Sequence, residues 1–384
     1  MAGPFEVLTT DGPARRARLE TEHGVVETPA FMPVGTRGAV KGVDPEALTR
    51  LGAEILLSNF YHLDLRPGID SIESLGGLHA FCGWSKPILT DSGGYQVFSL
   101  AKLRQLDDDG VTFRSHLDGK AVRLTPQRVV RDQVRIGVDI AMVLDECPPW
   151  PASEETVSEA VERTTRWAHV ARQVHDSHHG KTLLFGIVQG GGFERLRKEA
   201  AEALVALDFD GYAVGGVSVG EPLDERRRVV ELTVPLLPVE KPRYLMGLGT
   251  PPDILHAAMH GVDLFDCVLP SRNARHGLLF TRRGPLRIKN AKFGSDECAV
   301  EDGCPCPCCR GVSRAFLHHL FRCGEITAQV LATLHNIRFY LDFANGLREA
   351  IASGDLAEFA ASFRSTYSDA GTSESSLETQ PQAN

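Results

Sequence analysis

Eight short apolar runs, each separated from the next by a longer amphipathic stretch, limit what this chain of 384 residues can become. They are residues 28–36 (TPAFMPVGT), 54–59 (EILLSN), 87–94 (PILTDSGG), 139–146 (DIAMVLDE), 182–189 (TLLFGIVQ), 211–216 (GYAVGG), 243–249 (RYLMGLG) and the apolar start of 261–276 (GVDLFDCVLPSRNARH). Short apolar runs bounded by turn residues suit strands that are covered on both faces. Helices are expected at about 45–51, 125–136, 153–174, 193–207, 223–236 and 252–259. Thr125 is a good N-cap for the second of these, with Pro126 at its first helical position. Strand–helix alternation builds a parallel sheet, and eight repeats in about 250 residues have the size and rhythm of an α/β fold closed into a (β/α)8 TIM barrel. A doubly wound open sheet rarely supplies eight such strands in one domain. The stretch 95–124 interrupts the rhythm, and its DDDG and LDG turns predict an inserted hairpin region.

In such a barrel the reactive side chains sit at the C-terminal ends of the strands. Here those ends read Val34-Gly35, Asn59, Asp91-Ser92, Asp145-Glu146, Gln189-Gly190, Gly215-Gly216, Met246-Gly247 and Asp266. The last run carries two carboxylates, Asp263 and Asp266. A buried, unpaired carboxylate is expensive, so each needs either a partner or a task. A buried ion pair with an arginine from elsewhere is the plain alternative for both. Asp91, Asp145, the Gln189 amide and the backbone around Gly215-Gly216 form a donor and acceptor set suited to the edge of a heterocyclic base. Tyr95 and Met246 offer a flat ring and a polarizable thioether to cover its faces, although ordinary packing would also account for them.

The formal net charge of -9 excludes a chain that clings to nucleic acid through bulk positive charge. Locally the balance reverses. Between Asp266 and Asp296 there is no acidic residue, while Arg272, Arg275, Arg282, Arg283, Arg287, Lys289 and Lys292 all fall there. Nine cysteines scattered over this length are no disulfide framework, but Cys304-x-Cys306-x-x-Cys309 places three thiolates within six residues. With His335 they make a closed tetrahedral set of the structural-zinc kind, for which His318, His319, Cys323 and Cys308 compete on spacing. No apolar run approaches a membrane span and the N-terminus lacks a signal design, so a cytoplasmic protein is expected. The expected organisation is a barrel over 1–280, a zinc-binding subdomain with C-terminal helices over 281–363, and a polar, disordered tail over 364–384.

Taken together, TDSGGYQVFSL (90–100), LDE (144–146), GIVQGG (186–191), GYAVGGVSVGE (211–221), YLMGLGTP (244–251), FDCVLPSRNARHG (265–277) and the cysteine set resemble the queuine tRNA-ribosyltransferase, or tRNA-guanine transglycosylase, family. The resemblance covers the chain to about residue 360. It implies a TIM barrel with a zinc subdomain, and an enzyme that exchanges guanine at the wobble position of GUN-anticodon tRNA for a 7-deazaguanine in queuosine biosynthesis. It implies Asp266 as the nucleophile and Asp91 as the general acid/base. The base would be bound by Ser92, Asp145, Gln189, Gly216 and Val217 between Tyr95 and Met246, and the anticodon loop by Arg272 and Arg275. One Zn2+ would take Cys304, Cys306, Cys309 and His335, in a homodimer. Val34 and Cys147 resemble the tighter bacterial pocket, which implies 7-aminomethyl-7-deazaguanine (preQ1) rather than queuine. Val217-Ser218, Ser271 and Ala274 depart from the commoner residues of the family motifs. Two rival readings are a non-catalytic RNA-binding partner subunit and an archaeal-type D-loop transglycosylase. The first conflicts with an intact Asp91 and Asp266, the second with the lack of added C-terminal RNA-binding domains.

Overall fold

The computed structural model describes residues 3–94, 104–115, 119–178 and 180–367. Its centre is a ring of eight parallel strands: Ala30–Pro33, Leu56–Asn59, Ile88–Asp91, Ile140–Met142, Leu183–Val188, Gly211–Val214, Arg243–Leu245 and Leu264–Cys267. Each pairs with its neighbours in sequence, and the eighth returns to the first with Asp266 opposite Met32. A bridge between Val34 and Leu57, with Gly35 N donating to Leu57 O at 2.7 Å, closes the first strand onto the second. The expected barrel is therefore present, strand for strand. Most strands are shorter than the apolar runs because the C-terminal residues of those runs leave the sheet to form the rim.

Helices surround the ring where the amphipathic stretches predict them. Thr125 caps Pro126–Arg135 by accepting from Arg128 N, and Ser153 caps Glu154–Asp176 by accepting from Thr156 N. The latter helix buries Val157, Ala160, Val161, Thr164, Trp167, Ala168 and Ala171, a single stripe at helical spacing that faces the barrel. The expected insertion is a three-stranded antiparallel sheet of Arg104–Asp107, Gly110–Arg114 and Ala121–Leu124. Its first turn forms as read, with Asp107 Oδ1 accepting from Asp109 N at 2.9 Å and Gly110 N at 3.1 Å. Most of the second expected turn, at 117–119, lies outside the described residues.

Three features depart from the expected organisation. First, the N-terminus forms an antiparallel sheet of Phe5–Asp11, Ala14–Thr21 and Gly24–Thr28 that runs into the first barrel strand. From it Arg15 reaches the N-terminal end of the eighth strand and pairs with Asp263, both side chains being buried. The remaining Arg15 donors meet Val239 O and Lys241 O, while Arg243 N donates to Asp263 Oδ2. Asp263 thus takes the plain reading of a buried ion pair, and Asp266 does not. Second, the long Ile326–Ser353 helix packs against the first strand and against the helices Pro45–Leu51 and Pro251–Met259. That is the place of the eighth barrel helix. Residues between the eighth strand and this helix, including the hairpin of Leu278–Thr281 and Gly284–Arg287, form an excursion from the barrel. Third, the helix Leu356–Thr366 continues past 364 and Tyr367 is buried, so the polar tail begins later than expected; 368–384 lie outside the described residues. No helix among the described residues is long and apolar enough to cross a membrane.

Replacing Arg15 with Met should destabilise the fold by about 3–5 kcal/mol, because Asp263 is left buried without its counter-charge. The double change Arg15→Met with Asp263→Asn should recover part of that loss, as read by urea unfolding.

Candidate active site

Asp266, at the tip of the eighth strand, is buried beneath the mouth of the barrel. Its Oδ1 accepts from Tyr244 Oη at 2.6 Å and from Gly247 N at 2.7 Å, both supplied by the seventh strand and the turn after it. Burial pushes its pKa above the usual carboxylate range, and these two donors pull it back by stabilising the anion. Oδ2 has no hydrogen bond to a described residue. The carboxylate is held by one oxygen and presents the other.

Asp91, at the tip of the third strand, sits across the same opening. Asn59 Nδ2 donates to its Oδ2 at 2.5 Å, while Phe60 N and Gly93 N donate to Oδ1 at 3.1 and 3.3 Å. Burial, reinforced by the charge of Asp266, pushes its pKa up to about 7 against the pull of these donors. Two carboxylates in one mouth are thereby driven apart in character. Burial raises both; the charge of Asp266 adds to the rise at Asp91, while Tyr244 and Gly247 oppose it at Asp266.

Asp145 and Gln189 form the floor beside them. Gln189 Nε2 donates to Asp145 Oδ2 at 2.7 Å and Ser92 Oγ to Oδ1 at 3.3 Å, yet burial still raises Asp145 to about 6. Gln189 Oε1 is buried with no hydrogen-bond partner among the described residues. It faces Gly216, where φ is +67° and a Cβ would lie 2.5 Å from that oxygen. At Gly94 a Cβ would fall 1.7 Å from Asp145 Oδ1, so the backbone there touches the carboxylate. Val217 is buried and Met246 half-buried on the same rim, next to the Gly216 and Gly247 turns. Tyr95 lies outside the described residues.

Several contributors were not singled out from sequence as site residues. Tyr244 and Asn59 donate to Asp266 and Asp91 and so fix the two carboxylates. Arg197, fully buried, donates to Val188 O, Gly191 O and Gly215 O, tying the fifth strand's end to the sixth's. Glu221 accepts from Ser218 N and Val219 N, holding a turn in which Ser218 has φ +66°. Nothing local in the sequence marks Arg197 or Tyr244. Arg272 and Arg275 lie on the short helix Leu269–Arg275 that follows Asp266, and are half-buried. They are joined by exposed Arg37 and Lys41 of the first strand's loop: the charges of Arg275, Arg37 and Arg272, after burial, depress the Lys41 pKa. This is a positive rim beside a negative floor.

At the outer end of the eighth strand's excursion, His335 Nδ1 lies 3.9, 3.7 and 3.2 Å from Cys304, Cys306 and Cys309 Sγ. Tetrahedral zinc with ordinary bond lengths sets sulfur and nitrogen about 3.5 Å apart, so the donor set fits such an ion. His335 Nε2 meets Phe280 O at 2.8 Å, which puts the proton on that nitrogen and turns the Nδ1 lone pair toward the sulfurs. The competing residues are elsewhere: His318 bonds Ile288 O, and His319 contacts Cys323 on the exposed surface. Cys308 is buried outside the set.

The fold and its mouth define a (β/α)8-barrel enzyme with paired carboxylates and a basic rim. The family model described as queuine tRNA-ribosyltransferase matches residues 10–369. Curated relatives of that name resemble the chain closely. The protein of Thiobacillus denitrificans is 50% identical over 362 residues, spanning 94% of this chain and 98% of the relative. That of Aromatoleum aromaticum is 51% identical over 364 residues, 95% and 98% of the two chains, and that of Nitrosospira multiformis 51% over 360 residues, 94% and 98%. The chain belongs to the queuine tRNA-ribosyltransferase family, whose members are pentosyltransferases.

Metal removal should act on the barrel through the Ile326–Ser353 helix. Chelation under reducing conditions, or Cys306→Ala, is expected to lower Tm by about 5 °C or more; differential scanning calorimetry checks this.

Proposed function

We propose that the protein is a tRNA-guanine transglycosylase that exchanges guanine at the anticodon wobble position for preQ1 through an Asp266–ribose ester. The observation that carries this reading is the pair of buried carboxylates, one stabilised as an anion and one pushed up to about 7, at one barrel mouth. Displacing a base from ribose passes through oxocarbenium-like charge, which an anionic carboxylate stabilises and then traps. Asp266 Oδ2 attacks C1′ as the C1′–N9 bond of guanine breaks, and Asp91 gives its proton to the departing base. Asp91 then takes the N9 proton of preQ1, whose nitrogen attacks C1′ and expels Asp266. Two displacements retain the configuration, and burial keeps water from the ester.

Asp145, Ser92, Gln189, Gly216 and Val217 read the base edge in this proposal, with Tyr95 and Met246 on its two faces. The open acceptor Gln189 Oε1 supports it, since a base N–H would satisfy a buried oxygen that has no partner among the described residues. Val34 and Cys147 would favour preQ1 over a bulkier 7-substituent. The target base lies in a single-stranded loop, from which it can be splayed into the pocket. Arg272 and Arg275 would hold the phosphates of a GUN-anticodon tRNA. Zn2+ on Cys304, Cys306, Cys309 and His335 would be structural: with four protein ligands it leaves no open position. A homodimer acting in the cytoplasm completes the reading.

The test is incubation with unmodified tRNA and radiolabelled guanine or preQ1. Label should enter tRNA, and a denaturation-resistant protein–RNA adduct should form. Asp266→Asn should lower exchange by about three orders of magnitude or more while tRNA still binds; an adduct surviving that change would remove Asp266 from the mechanism. The kcat/KM profile for tRNA should fall on the alkaline side near pH 7, as free Asp91 loses its proton, and Asp91→Asn should erase that limb. Arg272→Ala and Arg275→Ala should each reduce the slope of log affinity against log salt by about 0.7. Light scattering at twice the monomer mass supports the dimer.

A further inference from the structure

A second cluster of metal-ligating side chains lies on the outer wall of the barrel, between the helices Leu223–Thr233 and Pro251–Met259. His256 and His260 are four residues apart, so the helix and its C-cap place both rings on one face. The ring centroids are 4.4 Å apart. Glu231 on the neighbouring helix points between them, its Oε1 being 3.4 Å from His256 Nε2 and 4.0 Å from His260 Nε2. Ligands around a tetrahedral ion with bonds of about 2.0–2.1 Å stand about 3.3 Å from one another. The His256–Glu231 edge already has that length, and Glu231 and His260 are exposed enough to close the rest.

The hydrogen bonds leave these atoms free for a cation. His256 Nε2 is buried and has no hydrogen-bond partner among the described residues, with Glu231 Oε1 at 3.4 Å. His260 Nδ1 meets His256 O at 2.7 Å, which places the proton on Nδ1 and bares the Nε2 lone pair. The contrasting cluster of His23, His79 and Asp139 has its facing nitrogens already engaged: His23 Nδ1 and His79 Nε2 each meet an Asp139 oxygen at 3.0 Å. Arg227, one turn before Glu231, opposes any cation at the first cluster, which places its affinity below that of the thiolate set.

We propose that His256, His260 and Glu231 form a second transition-metal site, with water completing the coordination, that clips the sixth and seventh barrel helices together. Nitrogen and carboxylate donors suit Zn2+, Co2+ or Ni2+ rather than Mg2+. The test uses the full chain without a polyhistidine tag and with its thiolate site filled. Equilibrium dialysis against micromolar Co2+ should load one further equivalent, with weak visible bands and no sulfur charge-transfer absorption, and Tm should rise. His260→Gln should lose that equivalent and the Tm response, while base exchange is unchanged; Glu231→Gln should bind more weakly. Both side chains are partly solvent-exposed, so the variants should fold, which circular dichroism verifies. Equal cobalt content in wild type and His260→Gln, or uptake only at millimolar metal, would overturn the site.

Discussion

The pairing of the eighth strand with the first is the interaction on which the molecule depends. Until Asp266 stands opposite Met32, the sheet is open and its strand tips face different directions. Closure aims all eight tips at one opening, and dehydrates what they carry. That dehydration, more than any single neighbour, raises Asp91, Asp145 and Asp266. The buried ion pair of Arg15 with Asp263 lies at the opposite end of the eighth strand. One strand thus carries an ion-paired aspartate at its foot and, at its tip, one with no basic partner among the described residues.

The mouth separates charge by sign. Carboxylates lie deep, where strand tips converge, and Arg37, Lys41, Arg272 and Arg275 lie above them on loops. Such a rim favours the approach of a polyanion. The arrangement also explains how a chain of net charge -9 can engage RNA: the relevant field is local and faces one way.

The cysteine cluster belongs to this design through its helix. Asn336, next to His335, accepts from Phe280 N and donates to Pro270 O and Leu278 O. It thereby joins the helix that carries a metal ligand to the segment bearing Arg272 and Arg275. Ordering the four ligands therefore orders the exit from the eighth strand.

Much of this was legible in the residues. The eight runs, the capped helices, the polar strand tips and the cysteine spacing are local patterns, because burial on both faces, helix capping and tetrahedral ligation each leave a short-range mark. Motif resemblance chose between Asp263 and Asp266, and the ion pair supplies the physical reason. What the residues did not reveal is long-range. Arg15 meets Asp263 across 248 positions, Tyr244 turns its hydroxyl onto Asp266 only in the assembled pleat, and the Ile326–Ser353 helix returns to the barrel after an excursion. By itself the sequence determined which segments become strands and helices and which chemistry they carry. Only the tertiary structure decided which carboxylate is paired with an arginine and which are buried together at one mouth, since those depend on neighbours that chain closure alone brings into contact.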